Sequence, residues 1–333
     1  MTMANLRTSS SGGSVVPLQS FTASRLAIVA GKGGVGKTTV TAALARAAAD
    51  RGLRVLVIDV DGRPGLVDLL GVPSSGTPDR TLGYEERLLV DGLGPGGTGR
   101  IHGRSLQAPA ALVEYLDTHG MRRISKRLVS TGVVDVVSTA APGIDDLLVL
   151  GKIKAIERSG DHDFIVVDGP AAGHAITFLM APAGLRDAIG TGPVNTQAAE
   201  VLEMLQDPAR CQVVLVTIPE ETPVNETIET AFALEDRVGV QLAPLVINAF
   251  DRAGLDVPDP ASVDLDGEPH AAALAAAARF RRGRAADQSD QVARLSISLP
   301  LPQVHLPAVF AAGLAPEDIL TLAKALDDGG AVT

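Results

Sequence analysis

The residues with the clearest chemical potential are nine consecutive positions that satisfy the phosphate-loop pattern and carry an additional lysine inside it. They are Gly31, Lys32, Gly33, Gly34, Val35, Gly36, Lys37, Thr38 and Thr39. Glycines let backbone N–H groups surround a phosphate, and a helix that begins at the loop adds the positive end of its dipole. Lys37 is expected to reach the β and γ phosphates, and Thr38 to complete the shell of a magnesium ion. The pattern therefore predicts a site for a nucleoside triphosphate with Mg²⁺.

The same glycines also fit the G-x-G-x-x-G pattern of dinucleotide-binding loops, and Asp59 lies about where a ribose-binding acid belongs. Against that alternative, Lys37 and Thr38 follow directly after the last glycine. A pyrophosphate-binding turn does not need these two side chains, whereas a triphosphate with magnesium does. The sequence therefore favours a triphosphatase.

Three aspartates follow predicted strands and are the candidate acids of the site. Phosphoryl transfer to water needs a metal, a group that orients the attacking water, and positive charge near the transferred phosphate. We assign Asp61 to orienting the water and Asp59 to the magnesium shell, although Asp59 also suits a strand-end cap. Asp168 is expected to meet magnesium through a water. His174 either senses the phosphate or caps the following helix.

Lys32 and Lys37 are the two candidate cations of the loop. Lys32 stands at the start of the loop and points outward, so it does not easily reach the phosphates that its own loop holds. It is expected to be either a solvated lysine or a residue that crosses a subunit interface. In the second case it would act on the partner's phosphate in the manner of an arginine finger.

The elements that must position these residues alternate between β-rich runs and helical patterns, which is typical of a parallel sheet covered on both faces. We predict an α/β fold of three layers, with small hairpin and helical insertions at about 82–130. Strands are predicted at residues 25–30, 55–59, 133–138, 164–168, 212–218, 244–247 and 295–299. Residues 82–106 suggest a surface hairpin, and residues 110–128 a helix pair.

Composition narrows the class of protein. The 333 residues carry a net charge of −10, which argues against nucleic acid as the main partner. Two basic clusters, around residues 122–127 and 279–284, are interpreted as solvated helix faces. The single cysteine, Cys211, excludes an intrachain disulfide and favours a cytoplasmic setting. We predict a disordered segment at 1–24, one ATPase domain at 25–328 and a short tail at 329–333.

Four stretches resemble the deviant phosphate-loop ATPases, and within them the arsenite-translocating (ArsA) and guided-entry tail-anchored-protein targeting ATPases. The stretches are residues 31–39, 60–71, 140–153 and 163–179. The resemblance extends over residues 25 to about 328 and is greatest to actinobacterial members. It implies a dimer that closes over ATP, with Lys32 acting across the interface. It also implies an adenine contact from Asn248 and a catalytic role for Asp61.

Departures from the family pattern limit the function. Arsenite relatives bind the metalloid through several cysteines, so a lone Cys211 argues against arsenite transport. The leading hypothesis is a Mg²⁺-dependent ATPase whose homodimer, or heterodimer with a paralogue, couples nucleotide state to a protein partner, with a membrane-protein client as one candidate. The alternatives are a weakly active subunit of such a heterodimer, and a DNA-partitioning or division-site ATPase of the wider superfamily.

Overall fold

The computed structural model describes residues 18–62, 64–72, 81–118, 120, 122–123, 142–264 and 268–329. The strand predicted at 133–138 lies outside the described residues. So do Arg63, in the stretch after Asp61, and Lys126 and Arg127, in the first basic cluster.

Within these described ranges, eight strands form a central sheet in the order β3-β4-β2-β5-β1-β6-β7-β8. Their bounds are β1 Leu26–Gly31, β2 Arg54–Asp59, β3 Arg87–Leu93, β4 Gly99–Ser105, β5 Phe164–Ala171, β6 Cys211–Thr217, β7 Leu245–Phe250 and β8 Gln303–Pro307. All neighbouring strands are parallel except β3, which is antiparallel to β4. The predicted α/β fold with a mostly parallel sheet is confirmed.

Helices cover both faces of this sheet. Their bounds are α1 Lys37–Asp50, α2 Leu66–Leu69, α3 Ala108–Thr118, α4 Ile144–Ser159, α5 Ala172–Ala188, α6 Pro193–Gln206, α7 Glu221–Arg237, α8 Ala271–Ser298 and α9 Pro316–Asp327. The helices α1, α2 and α9 pack on one face, while α4, α5, α6 and α7 pack on the other together with the end of α8. Among the described residues, no helix combines the length and the apolar character that crossing a membrane requires.

The two faces have separate apolar cores because side chains alternate along each strand. In β2, Val55 and Val57 face the layer of α1, whereas Leu56 and Ile58 face the opposite layer. A strand buried on both faces has little room for polar residues, so it appears in the sequence as an unbroken apolar run. Such runs end at the carboxyl edge of the sheet, where the acids and the phosphate loop lie.

The strand predicted at 295–299 is wrong, because these residues form the end of α8 and the turn that follows. Leu295 and Leu299 are buried four positions apart, and Ile297 between them is 85% exposed. A spacing of four with an exposed residue between is helical, although short β-branched runs resemble strands. The last strand, β8, follows at Gln303–Pro307.

Residues 82–106, which the sequence suggests are a surface hairpin, are part of the central sheet. The strand β4 pairs in parallel with β2 over its whole length, from Arg54 opposite Arg100 to Asp59 opposite Ser105. The antiparallel strand β3 then forms the edge. The hairpin therefore extends the sheet that carries the candidate site.

The second basic cluster, on α8, is more than a solvated helix face, because its arginines contact other elements of the chain. Arg281 forms a two-point ion pair with the buried Asp251, with N–O distances of 2.8 and 2.9 Å. Arg282 donates to the Val257 carbonyl, and Arg284 lies 3.7 Å from Glu220. These contacts hold α8 against the segment that follows β7 and against the start of α7.

Candidate functional site

The loop of residues 31–36 joins the end of β1 to the start of α1, and the backbone requires glycine at several of its positions. Gly36 has a φ of +89°, and a Cβ there would lie 2.3 Å from the Asn248 side-chain nitrogen. A Cβ at Gly31 would lie 2.3 Å from the Val216 carbonyl oxygen. By contrast, a Cβ at Gly33 or Gly34 would meet nothing within 4 Å. The loop is therefore closed on its sheet side and open on the other.

The helix α1 begins at Lys37, and no side chain caps its first turn. The first N–H groups of a helix have no partner within the helix, so this end attracts an anion. The Lys37 ammonium lies over the loop and donates to the Lys32 carbonyl at 3.4 Å. The open loop, the uncapped helix end and Lys37 together form a cradle suited to phosphate.

Thr38 and Asp168 meet at the foot of this cradle. The Thr38 hydroxyl donates to Asp168 Oδ2 at 2.7 Å, and Thr41 donates to Oδ1 at 3.4 Å. Asp168 on β5 is in register with Asp59 on the adjacent β2. Burial raises the pKa of Asp168 to about 6, with a further contribution from the nearby Asp59. A hydroxyl and carboxylates at the end of parallel strands are the oxygen donors that Mg²⁺ prefers, so the residues present fit that ion.

Asp59 is buried and organises the turn that carries Asp61. Its Oδ1 accepts from the backbone N–H groups of Asp61 and Gly62, both at 3.0 Å. This is the capping role that the sequence left open as an alternative, and it coexists with a position beside Asp168. Asp61 itself is exposed.

Asp61 lines a cavity of about 600 Å³ between α3, α4 and α5. Asp145, Asp146 and His174 line the same cavity. Burial raises the pKa of Asp146, the neighbouring Asp145 raises it further, and His174 opposes the shift. His174 lies in the first turn of α5, where it faces these acids across the cavity.

Lys32 contacts a residue of its own chain that the sequence analysis does not name. Its ammonium forms an ion pair with Glu226 Oε1 on α7 at 2.5 Å, and both side chains are about one-third exposed, at 33% and 38%. The lysine is therefore held within its own chain in this structure. The sequence analysis did not identify Glu226, since the two residues are 194 positions apart and no local pattern connects them.

Asn248, which the resemblance implies contacts adenine, forms a hydrogen bond with the phosphate loop in this structure. Its side-chain nitrogen donates to the Val35 carbonyl at 2.9 Å. The next residue, Ala249, has a φ of +56°, a conformation that is uncommon for a residue other than glycine. This backbone turn accompanies an irregularity in the pairing of β7 with β8. Asn248 thus joins the end of β7 to the loop that follows β1.

A second cavity, of about 430 Å³, lies at the same edge of the sheet, beyond the ends of β7 and β8. Phe310, which is 68% exposed, lines it, and the Arg281 guanidinium lies 5.2 Å from the centre of this ring. Strands in a sheet are spaced by about 4.8 Å, which puts β7 about 10 Å from β1. The sequence analysis did not identify Phe310, because it follows the last strand in a segment without a motif.

Comparison with known proteins identifies relatives of this chain. A family model described as anion-transporting ATPase matches residues 24–191. The ATPase BagA of Mycobacterium tuberculosis is 34% identical over 76% of this chain and 73% of its own length. A putative arsenical pump-driving ATPase of Halobacterium salinarum is 26% identical over 66% of this chain and 34% of its own. The ATPase ARSA1 of Chlamydomonas reinhardtii is 25% identical over 62% of this chain and 33% of its own length.

Proposed function

The chain belongs to the ArsA family of anion-transporting ATPases, and from that premise we propose that it is a Mg²⁺-dependent switch that dimerises with ATP and acts on a protein partner. Membership makes the chain an ATPase that binds ATP. The magnesium requirement, the dimer, the residue roles and the partner are our proposals.

The observation that carries the proposal is the contact between Thr38 and Asp168 beneath an open glycine loop. We propose that Thr38, Asp59 and Asp168 hold Mg²⁺, directly or through water. The ion would neutralise charge on the β and γ phosphates and stabilise the charge that develops during transfer. Residues 31–39 would surround the phosphates, with Lys37 supplying the nearest positive charge.

For hydrolysis, we propose that Asp61 orients the attacking water. It lies on a turn that Asp59 fixes through two backbone hydrogen bonds, while its side chain is exposed toward a cavity large enough for water. A carboxylate in that position can accept a hydrogen bond from the water and align it with the γ-phosphate. The same turn is placed to change shape when the phosphate leaves.

The nucleoside would extend from the loop toward the cavity beyond β7 and β8. The distance of about 10 Å between β1 and β7 suits the span from phosphates to base. In this arrangement Phe310 packs against the base, and Asn248 offers its amide to the base or keeps its contact with the loop. The ion pair of Arg281 with Asp251 stabilises the edge of this cavity.

Lys32 is proposed to act across the dimer interface on the partner's phosphate. In the isolated chain its ammonium forms an ion pair with Glu226. This ion pair must break before the lysine can reach a second subunit. When the dimer forms, the Lys32 ammonium would thus leave the Glu226 carboxylate of its own chain and contact a phosphate bound to the other chain. A protein partner that favours either arrangement would bind in a nucleotide-dependent way.

For the partner, we propose a membrane-protein client met in the cytoplasm, and either a homodimer or a heterodimer with a paralogue. Arsenite is a poor candidate for the cargo. The only cysteine of the sequence, Cys211, is buried in β6, where burial raises its thiol pKa. A thiol that resists ionisation is a weak ligand for a soft metalloid.

The test is the solution mass of the Asp61→Asn variant, which is expected to bind ATP without consuming it. We expect the 34.2 kDa chain to be a monomer with ADP and to double its mass with ATP and Mg²⁺, alone or mixed with a paralogue. A monomer under all of these conditions would remove the dimeric switch and the role of Lys32, while leaving ATP binding intact.

A further inference from the structure

A group of possible metal ligands lies around β3, β4 and the start of β5. Glu86 immediately precedes β3, His102 lies in the middle of β4, and His162 lies just before β5. These positions are brought together by the pairing of β4 with β2 and of β2 with β5. Neither the sequence motifs nor the proposed ATPase mechanism uses them.

The three side chains are close enough to share one ion. One ligand atom from each lies within 4.8 Å of the other two. His162 Nε2 and Glu86 Oε1 are 3.1 Å apart, and the two imidazole rings meet edge to face with centres 5.6 Å apart. Ligands of a tetrahedral Zn²⁺ lie about 2.0–2.2 Å from the ion, so small side-chain rotations would complete the contacts.

Both histidines also contain a buried nitrogen with unmet hydrogen-bonding capacity. The Nδ1 atoms of His102 and His162 have no hydrogen-bond partner within the part of the chain that the structure describes. His162 is 6% exposed, so water does not readily replace the missing partner. Leaving a buried polar atom unsatisfied costs about 1–3 kcal/mol. A cation bound at an Nδ1 atom would remove that cost, whereas a cation bound at Nε2 would leave it.

The surroundings hold His162 at a fixed position. Asp163, next to His162, accepts hydrogen bonds from the Arg54 backbone N–H and guanidinium at 2.8–3.1 Å. This pairing fixes the start of β5 against β2, so His162 is held where β4 presents His102.

We propose that Glu86, His102 and His162 form a binding site for a divalent transition-metal ion, with Zn²⁺ the best match. Two imidazoles and one carboxylate are a common set of three protein ligands for zinc, and they leave a fourth position for water. Hard ions such as Mg²⁺ and Ca²⁺ favour all-oxygen sites. The site joins the β3–β4 edge of the sheet to the start of β5, and its ion stabilises the fold.

This site is separate from the proposed Mg²⁺ site. His102 is in register with Leu56, which lies three residues before Asp59 on β2. Three residues of strand correspond to about 10 Å. The inference therefore does not depend on the proposed function, and ATP binding can be measured independently in every variant below.

The experiment is a calorimetric titration of Zn²⁺ into full-length, untagged protein that has been treated with a chelator and contains no nucleotide. We expect one ion per chain and a higher melting temperature once it is bound. Glu86→Gln should weaken this binding by at least the roughly 10- to 100-fold that follows loss of a supporting hydrogen bond to a metal ligand. His102→Gln should do the same.

His270→Gln is the matched control, because His270 is exposed and lies at the start of α8, outside the cluster. It should bind Zn²⁺ like the native protein. Should His102→Gln fail to fold, Glu86→Gln decides alone, since this side chain is at the surface. Absence of Zn²⁺ binding by the native protein, or equal binding by Glu86→Gln, would overturn the proposal and show that the cluster is only a histidine–carboxylate contact.

Discussion

The foot and the rim of the phosphate loop differ in how far contacts within the chain already fix their side chains. The foot consists of Thr38, Asp168 and Asn248, whose contacts of 2.7–2.9 Å already hold the loop in shape. The rim consists of Lys32 and Asp61, which are partly or fully exposed, with Lys32 tied to Glu226. The difference indicates that the foot is built in advance to bind a nucleotide. We propose that the rim changes when a second subunit arrives or when a product leaves.

Replacing Lys32 gives the largest effect expected at the rim. Lys32→Ala should reduce ATP turnover by about 10³- to 10⁵-fold if the lysine stabilises the partner's transferred phosphate. ATP affinity should stay close to native, because the foot is untouched. The measurement pairs steady-state turnover with nucleotide titration, at protein concentrations where the ATP dimer forms.

Lys324→Ala is the control for Lys32→Ala, since it removes an exposed lysine on α9. It should leave turnover unchanged. A loss of ATP affinity in Lys32→Ala equal to its loss of turnover would contradict the separation of foot and rim, because the lysine would then bind nucleotide within its own chain.

Replacing Asp61 is expected to have the next largest effect. Asp61→Asn should lower the hydrolysis rate by about 10²- to 10⁴-fold, the usual contribution of a group that positions or activates water. ATP should still bind, and the dimer should persist longer. Turnover of Asp187→Asn, which changes an exposed aspartate on α5, provides the comparison. Native-like turnover by Asp61→Asn would assign the water to another residue.

At the foot, Asp168→Asn is expected to weaken Mg²⁺-dependent ATP binding while stabilising the nucleotide-free protein. The pKa of Asp168 is raised to about 6, so the native state holds this proton more tightly than the unfolded chain does. The resulting stability is complete below pH 3.8 and is lost as pH rises through 6. At pH 7 the ionised carboxylate costs up to about 3 kcal/mol, from about two pKa units at 1.36 kcal/mol each.

Denaturant unfolding of Asp168→Asn and native protein, without nucleotide, measures this cost. The variant should be more stable at pH 7.5, and its advantage should shrink at pH 5, where Asp168 is largely protonated in the native protein. A difference in stability that does not depend on pH would show that burial does not destabilise the ionised Asp168 carboxylate. Equal Mg²⁺-dependent ATP affinity would remove Asp168 from the metal site.

Glu226→Gln should produce the smallest change. A partly exposed ion pair contributes no more than about 1 kcal/mol, which corresponds to about a fivefold shift in an equilibrium. Releasing Lys32 should therefore strengthen the ATP dimer by up to that factor, as measured by dimer dissociation at several protein concentrations. Glu229→Gln, one turn away and exposed, is the matched control. A weaker dimer in Glu226→Gln would mean that the carboxylate itself lies in the interface.

The sequence predicted what depends on local pattern. Residues 31–39 specify a loop between a strand and a helix, and apolar runs ending in Asp59 and Asp168 specify strands that end at the same edge of the sheet. These features follow from neighbours in the chain, so the α/β fold and the ATPase class could be inferred. The prediction of a strand at 295–299 was wrong because it also rested on local pattern alone. Four or five residues are too few to distinguish a buried helix end from a strand.

Contacts between distant residues could not be predicted. The partner of Lys32 is 194 positions away, and the Val35 carbonyl that accepts from Asn248 is 213 positions from it. His102 and His162 are isolated in the sequence and share no motif spacing with Glu86. Each of these groupings depends on which strands are neighbours in the sheet, which the pattern of single segments does not specify.

The most direct test of the phosphate site is a calorimetric titration of ATP into native protein and Lys37→Ala, each with and without Mg²⁺, with NAD as the competing ligand. We predict that native protein binds ATP tightly only with Mg²⁺, that Lys37→Ala loses most of this affinity, and that NAD does not bind. Binding of NAD in place of ATP, or ATP binding that is indifferent to both Mg²⁺ and Lys37, would contradict the account.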